Sequence, residues 1–166
     1  LRTRTEASAL AETVAVREFA TLPSDEAYPA ALAIAPDGTL FTGSYTTGTI
    51  WRITPDGDVQ VIPDTQASIG SVSGLTLTDD ALYVLDRIEP LSAAGAILWR
   101  ITANGTGELE RLRDFDPFGD AALVLPDDIA ADQTGNIYIS DRGPDRVWRY
   151  DTQGDNGQIW WASPNL

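Results

Sequence analysis

An all-β architecture built from repeated four-stranded sheets is predicted by three observations. The first is a recurring apolar-Trp-Arg-apolar segment: Ile50-Trp51-Arg52-Ile53, Leu98-Trp99-Arg100-Ile101 and Val147-Trp148-Arg149-Tyr150. Trp99 follows Trp51 by 48 residues and Trp148 follows Trp99 by 49. The second is a punctuated pattern of short apolar runs bounded by Gly, Pro, Asp or Asn, each of strand length. The third is that outside the first eighteen or so residues no stretch holds a helical period without a turn signal.

Each repeat opens with an apolar run, LAIA (32–35), LTLT (75–78) or IAAD (129–132). A polar turn leads to an aromatic-bearing run: TLFTGS (39–44), ALYVLD (81–86) or IYISD (137–141). A loop then leads to the Trp segment. A second turn follows, and the unit closes with VQVI (59–62), LERLRDF (109–115) or QIWWA (158–162). The units are placed at 29–63, 72–115 and 126–162. A leading segment at 1–28 is read to contain the fourth strand of a preceding unit (13–20, TVAVREFA).

Four antiparallel strands at this period form a blade of a β-propeller, whose rings typically hold four to eight blades. Three blades plus a leading strand therefore read as half of a six-bladed ring. Missing blades or a second copy are expected to complete it. An open terminal blade would expose ~400 Å² of apolar surface, leaving roughly 10 kcal/mol of burial unrealised per face.

The net charge is −14 over 166 residues, and every cation is Arg. Nucleic acid is excluded as a partner by the missing positive stripe, and anionic membrane surfaces are disfavoured for the same reason. No apolar stretch approaches the roughly 18 residues of a membrane helix. Cys and His are absent, which removes disulfides, thiolate or imidazole metal sites and a Ser-His-Asp triad. The compartment stays open, with the extracytoplasmic side favoured.

In an antiparallel blade, the entry to the first strand and the loop between the second and third lie at one end. Ala30, Ser73, Asp127 and Asp128 are placed at the entries. Ser44-Tyr45, Asp86-Arg87 with Glu89, and Asp141-Arg142 with Asp145 are placed on the loops. Two readings of the Asp-Arg pairs stay open. In one, Asp caps a turn and Arg packs over a neighbouring blade. In the other, Ser73, Asp86, Arg87, Glu89, Asp141, Arg142 and Tyr45 form a rim for a hydroxylated or carboxylated ligand. Adjacent carboxylates at Asp127 and Asp128 are the metal candidate, since an oxygen-preferring cation relieves their repulsion. Strand alternation argues against both pointing the same way.

The third repeat, LPDDIAADQTGNIYISDRGPDRVWRYDTQG (125–154), resembles an NHL-type repeat, and the first (28–57) matches the same frame more loosely. Both are similar to the senescence-marker-protein/gluconolactonase/luciferin-regenerating family of six-bladed propellers. That resemblance implies a lactonase-like, metal-dependent hydrolase acting on a lactone or similar small ester. Its divalent ion, calcium first and zinc second, would be held by Asp, Asn and Glu from different blades. Pro126-Asp127-Asp128 matches the family's Asp motif, with Asp128 in place of Gly. Ser73 stands where the family carries Asn, and Ala30 occupies the corresponding position of the first blade. The alternative is a non-catalytic NHL-like propeller that binds a protein, peptide or glycan through its channel-end loops.

Overall fold

The computed structural model describes residues 16–25, 27–88, 95–115, 125–143 and 145–163. Three four-stranded antiparallel sheets follow one another along the chain. Blade 1 comprises β1 (Pro29–Ile34), β2 (Leu40–Ser44), β3 (Ile50–Ile53) and β4 (Val59–Val61). Blade 2 comprises β5 (Val72–Leu77), β6 (Ala81–Asp86), β7 (Ala96–Ile101) and β8 (Leu109–Phe115). Blade 3 comprises β9 (Pro126–Ala131), β10 (Ile137–Asp141), β11 (Arg146–Tyr150) and β12 (Gln158–Ala162). Strand order within each sheet is the order of the chain, so only tight turns and short loops are needed inside a blade.

The first strands β1, β5 and β9 lie side by side, which makes them the inner strands of a radial array. Two apolar clusters hold the array together. One joins blades 1 and 2 through Phe41, Ile50, Val72, Leu82, Val84 and Trp99. The other joins blades 2 and 3 through Tyr83, Leu85, Leu98, Ile137, Ile139 and Trp148. Two of the repeated Trp side chains therefore point toward the preceding blade: Trp99 toward blade 1, Trp148 toward blade 2. The intervening Arg lies on the other face, as alternation requires. Arg100 Nε donates to Glu110 at 2.8 Å, and an Arg149 guanidinium nitrogen donates to Asn136 at 3.0 Å.

Sandwiching explains the sequence of the middle blade. All six residues of β6, ALYVLD, are buried, because clusters press on both faces. In β10 the pattern alternates: Ile137, Ile139 and Asp141 are buried, Tyr138 and Ser140 only partly. Blade 3 thus has one covered face and one open face, and its outer strand β12 is exposed throughout. Trp160 lies on Tyr138 edge-to-face with centroids 5.2 Å apart. Close blade contact also dictates small residues. A Cβ at Gly43 would come within 2.4 Å of Val72 Cγ1, and one at Gly74 within 2.8 Å of Asp128 Oδ1.

Three details differ from the sequence reading. Each first strand starts three residues early, at Pro29, Val72 and Pro126, so Ala30, Ser73, Asp127 and Asp128 are strand residues and not entry-loop residues. A single helical turn, α1 (Thr65–Ser68), and a tight turn at α2 (Thr102–Gly105), whose Ala103 and Asn104 lie at positive φ, were not anticipated. The segment read as a leading strand forms none over residues 16–20, while 13–15 lie outside the described residues. No helix among the described residues is long and apolar enough to cross a membrane.

Candidate functional site

The early strand starts have a common cause. In each blade the pairing of first and second strands skips one residue. Pro29 pairs with Ser44 and Ala31 with Gly43; Val72 pairs with Asp86 and Gly74 with Leu85; Pro126 pairs with Asp141 and Asp128 with Ser140. Ala30, Ser73 and Asp127 are therefore bulge residues at one register. A bulge breaks the alternation of side chains and re-aims them. This is why Asp127 and Asp128, consecutive in one strand, line the same cavity, contrary to the expectation that they face apart.

That cavity has a volume of about 480 Å³ and lies across the inner strands of all three blades. Its polar lining consists of Tyr45, Ser73, Arg87, Asp127 and Asp128, beside Ala30, Leu32 and Ile129. The second-to-third loops arrive there by equivalent backbone bonds: Tyr45 N–H to Tyr28 C=O (3.1 Å), Arg87 N–H to Ser71 C=O (2.9 Å) and Arg142 N–H to Leu125 C=O (3.0 Å). Three rim candidates, Tyr45, Ser73 and Arg87, thus converge with the two metal candidates, Asp127 and Asp128, from three blades.

Asp86 and Asp141 do not join them. The Asp86 carboxylate is 1% exposed and accepts from Ser71 N–H (2.9 Å), Ile88 N–H (2.7 Å), Gly70 N–H (3.2 Å) and Trp99 Nε1–H (3.2 Å). Asp141 is equally buried and accepts from Leu125 N–H at 2.9 Å and Gly143 N–H at 3.4 Å. Arg146 stands 3.7 Å from its other oxygen. Both acids tie the second-to-third corner to the segment entering the first strand, which is the turn-capping reading. In blade 1 the buried Ser44 holds this position and accepts from Thr47 N–H at 3.0 Å.

The partner arginines diverge. Arg87 is 3% exposed and lies over the Tyr45 ring of blade 1, 5.8 Å from its centroid, donating to the Tyr45 hydroxyl at 3.3 Å. Arg142 is largely exposed and stands 3.8 Å from Asp127. It lines a shallower hollow with Asp127, Asp141, Asp145 and Trp161. Glu89 lies outside the described residues.

A larger cavity of about 750 Å³ opens at the opposite end, among the turns between first and second strands. Its three carboxylates, Asp37, Asp79 and Asp132, come from the first-to-second turns of the three blades, at different positions in each turn. Two of them are committed to their own turns. Asp37 accepts from Thr39 N–H at 2.9 Å. Asp132 accepts from the side chains of Asn136 and Thr134, each at 2.8 Å, which holds its carboxyl well below the usual carboxylate range. These acids shape turns, and the smaller cavity is the better functional candidate.

The metal reading fits the smaller cavity poorly on its own residues. Two carboxylates fall short of the six to eight oxygens that calcium takes, and the Arg87 guanidinium shares the space. Asp128 Oδ1 is already engaged with Ile129 N–H at 2.8 Å. Among the described residues no group of three or more acids is placed to hold an ion.

No protein-family model matches the chain, and no curated protein matches it significantly. Solved structures do. Virginiamycin B lyase from Staphylococcus aureus aligns at 20% identity and a TM-score of 0.59, over 87% of this chain and 44% of that one. A chain of the nidogen–laminin complex aligns at 22% identity and 0.64, over 85% and 50%. YCF48 bound to D1 peptide aligns at 13% identity and 0.60, over 83% and 41%. At these identities the likeness is one of fold: the chain is a partial β-propeller. It spans half or less of the length of each of these structures.

Proposed function

We propose that this chain is half of a six-bladed propeller whose channel-end cavity binds a peptide segment of a partner. The observation that carries this is the bulge repeated at one register of each blade, which brings Ser73 and Asp127 beside Tyr45 and Arg87 around one polar cavity. A cavity of about 480 Å³ is within the usual range for side-chain-sized ligands. Two of the structural relatives are solved with a protein or peptide partner, which supports a binding role for this architecture. Another is a lyase, so the fold also hosts catalysis. The open face of blade 3, with Tyr138 and Trp160, is where a further blade, in this protein or a second copy, would dock.

The test is selection of displayed random peptides against the protein, followed by affinity measurement on Ser73→Trp, which fills the cavity. Selected peptides should lose at least tenfold in affinity. Unchanged affinity would place binding elsewhere.

A second reading, favoured by Asp127 in its Pro-Asp context, is a lactonase-like hydrolase whose calcium draws its remaining ligands from beyond the described residues. Calcium or zinc titration should then raise the melting temperature, with the rise lost in Asp127→Ala. Hydrolysis of a panel of sugar and aryl lactones should depend on the same residue. Absence of both effects sinks this reading.

A further inference from the structure

We infer that Arg87 is a carboxylate receptor, and that the cavity recognises a peptide carrying an acidic side chain next to a basic one. The inference rests on the channel-end binding reading and names the chemistry of that ligand. Four observations carry it. The guanidinium is buried yet lines the cavity. Among the described residues no carboxylate lies within 4.0 Å of it: every acid that pairs with arginine in the described set pairs with another one. The neighbouring acid, Asp86, spends its oxygens on backbone and Trp99 donors. Finally, among the described residues Arg87 Nε has no hydrogen-bond partner, and the guanidinium's one hydrogen bond runs to the Tyr45 hydroxyl.

A buried cation without a counter-charge is costly, and a buried charge is retained where a partner arrives to pair with it. The guanidinium is a planar fork suited to bidentate capture of a carboxylate. The Tyr45 ring and hydroxyl fix its plane from the adjacent blade, so the fork is oriented before a ligand binds. The same cavity presents Asp127 and Asp128. A lone anion would meet their repulsion, on a protein of net charge −14. A ligand bearing a cation beside its carboxylate satisfies both signs at once.

The probes are three end-blocked tetrapeptides, Gly-Glu-Lys-Gly, Gly-Gln-Lys-Gly and Gly-Glu-Gln-Gly, with binding measured by titration calorimetry. On the wild type the Glu-Lys peptide should bind at least tenfold more tightly than either isostere. Arg87→Gln should abolish the preference for Glu over Gln while leaving the preference for Lys. Arg87→Lys, which keeps the charge and loses the fork, should retain a reduced preference for Glu; it covers the case in which the Gln variant does not fold. Equal binding of the Glu and Gln peptides to the wild type overturns the inference. If in that case affinity still falls in Ser73→Trp, the channel-end reading survives and only the assignment of Arg87 fails. If none of the three peptides binds, the inference falls, and the channel-end reading stands or falls on the displayed-peptide selection.

Discussion

Replacing Asp86 by Ala should be among the most damaging single changes in the chain, and its cost can be worked from its partners. The carboxylate receives three backbone N–H groups, of Gly70, Ser71 and Ile88, and the Trp99 indole N–H. Truncation leaves all four without an acceptor at a site where the acid itself is 1% exposed. An unsatisfied buried donor costs about 1–3 kcal/mol, so the low end already sums to about 4 kcal/mol. Asp86→Asn retains one acceptor oxygen for Ser71 and Ile88 but sets an amide N–H₂ against the indole. About 2 kcal/mol is expected for it. With a urea dependence near 2 kcal/mol per molar, the Ala variant should lower the unfolding midpoint by about 2 M and the Asn variant by about 1 M. Urea titration followed by Trp fluorescence reads both, since Trp99 is itself a partner. A midpoint shift below about 0.5 M for Asp86→Ala would refute the structural role and return Asp86 to the ligand rim.

Three further outcomes follow from the packing. Tyr150 is buried with its hydroxyl unpaired among the described residues. Burial raises its pKa above the ordinary value of 10.0, so the stability that Tyr150 contributes is present below pH 10 and lost as pH rises beyond it. Tyr150→Phe should be neutral or stabilising by up to about 1 kcal/mol and should flatten that alkaline loss in thermal melts. Asp132, whose carboxyl is depressed first by the Asn136 side chain and then by Thr134, works in the opposite direction. Its contribution is present above its ordinary value of 3.8 and declines as pH falls below it, so Asp132→Asn should reduce the slope of stability against pH in that acid range. Gly74→Ala forces a methyl to within 2.8 Å of Asp128 Oδ1 and the Ile129 nitrogen. It should destabilise by about 1–3 kcal/mol, measurable by urea titration.

The blades were legible because local signals agree with the fold. The Trp-Arg alternation in β3, β7 and β11 separates an interblade face from a polar one. Turn residues such as Gly38 and Gly135, both at positive φ, mark the corners between first and second strands. The buried run ALYVLD against the alternating IYISD even distinguishes the sandwiched blade from the half-open one. The bulges were not legible. Ala30, Ser73 and Asp127 share no chemistry, and a skipped pairing partner leaves no mark on composition. Because Ala30, Ser73, Asp127 and Asp128 were placed at the entries, the first strands were started late, and strand alternation was applied to Asp127 and Asp128 without the bulge. The Asp-Arg pairs looked alike in blades 2 and 3, yet Arg87 is buried and Arg142 is exposed. The difference is set by Tyr45, a residue of another blade 42 positions away, whose ring Arg87 covers.

The central claim is that ligands enter at the end of the channel where the bulges lie. Shift mapping by ¹H–¹⁵N NMR during titration with the Gly-Glu-Lys-Gly peptide tests it most directly. Perturbations should gather at Tyr45, Ser73, Arg87, Asp127 and Asp128, with the side-chain Nε–H of Arg87 among the largest. Perturbations gathered instead at Asp37, Asp79 and Asp132, around the larger cavity at the opposite end, would contradict the account.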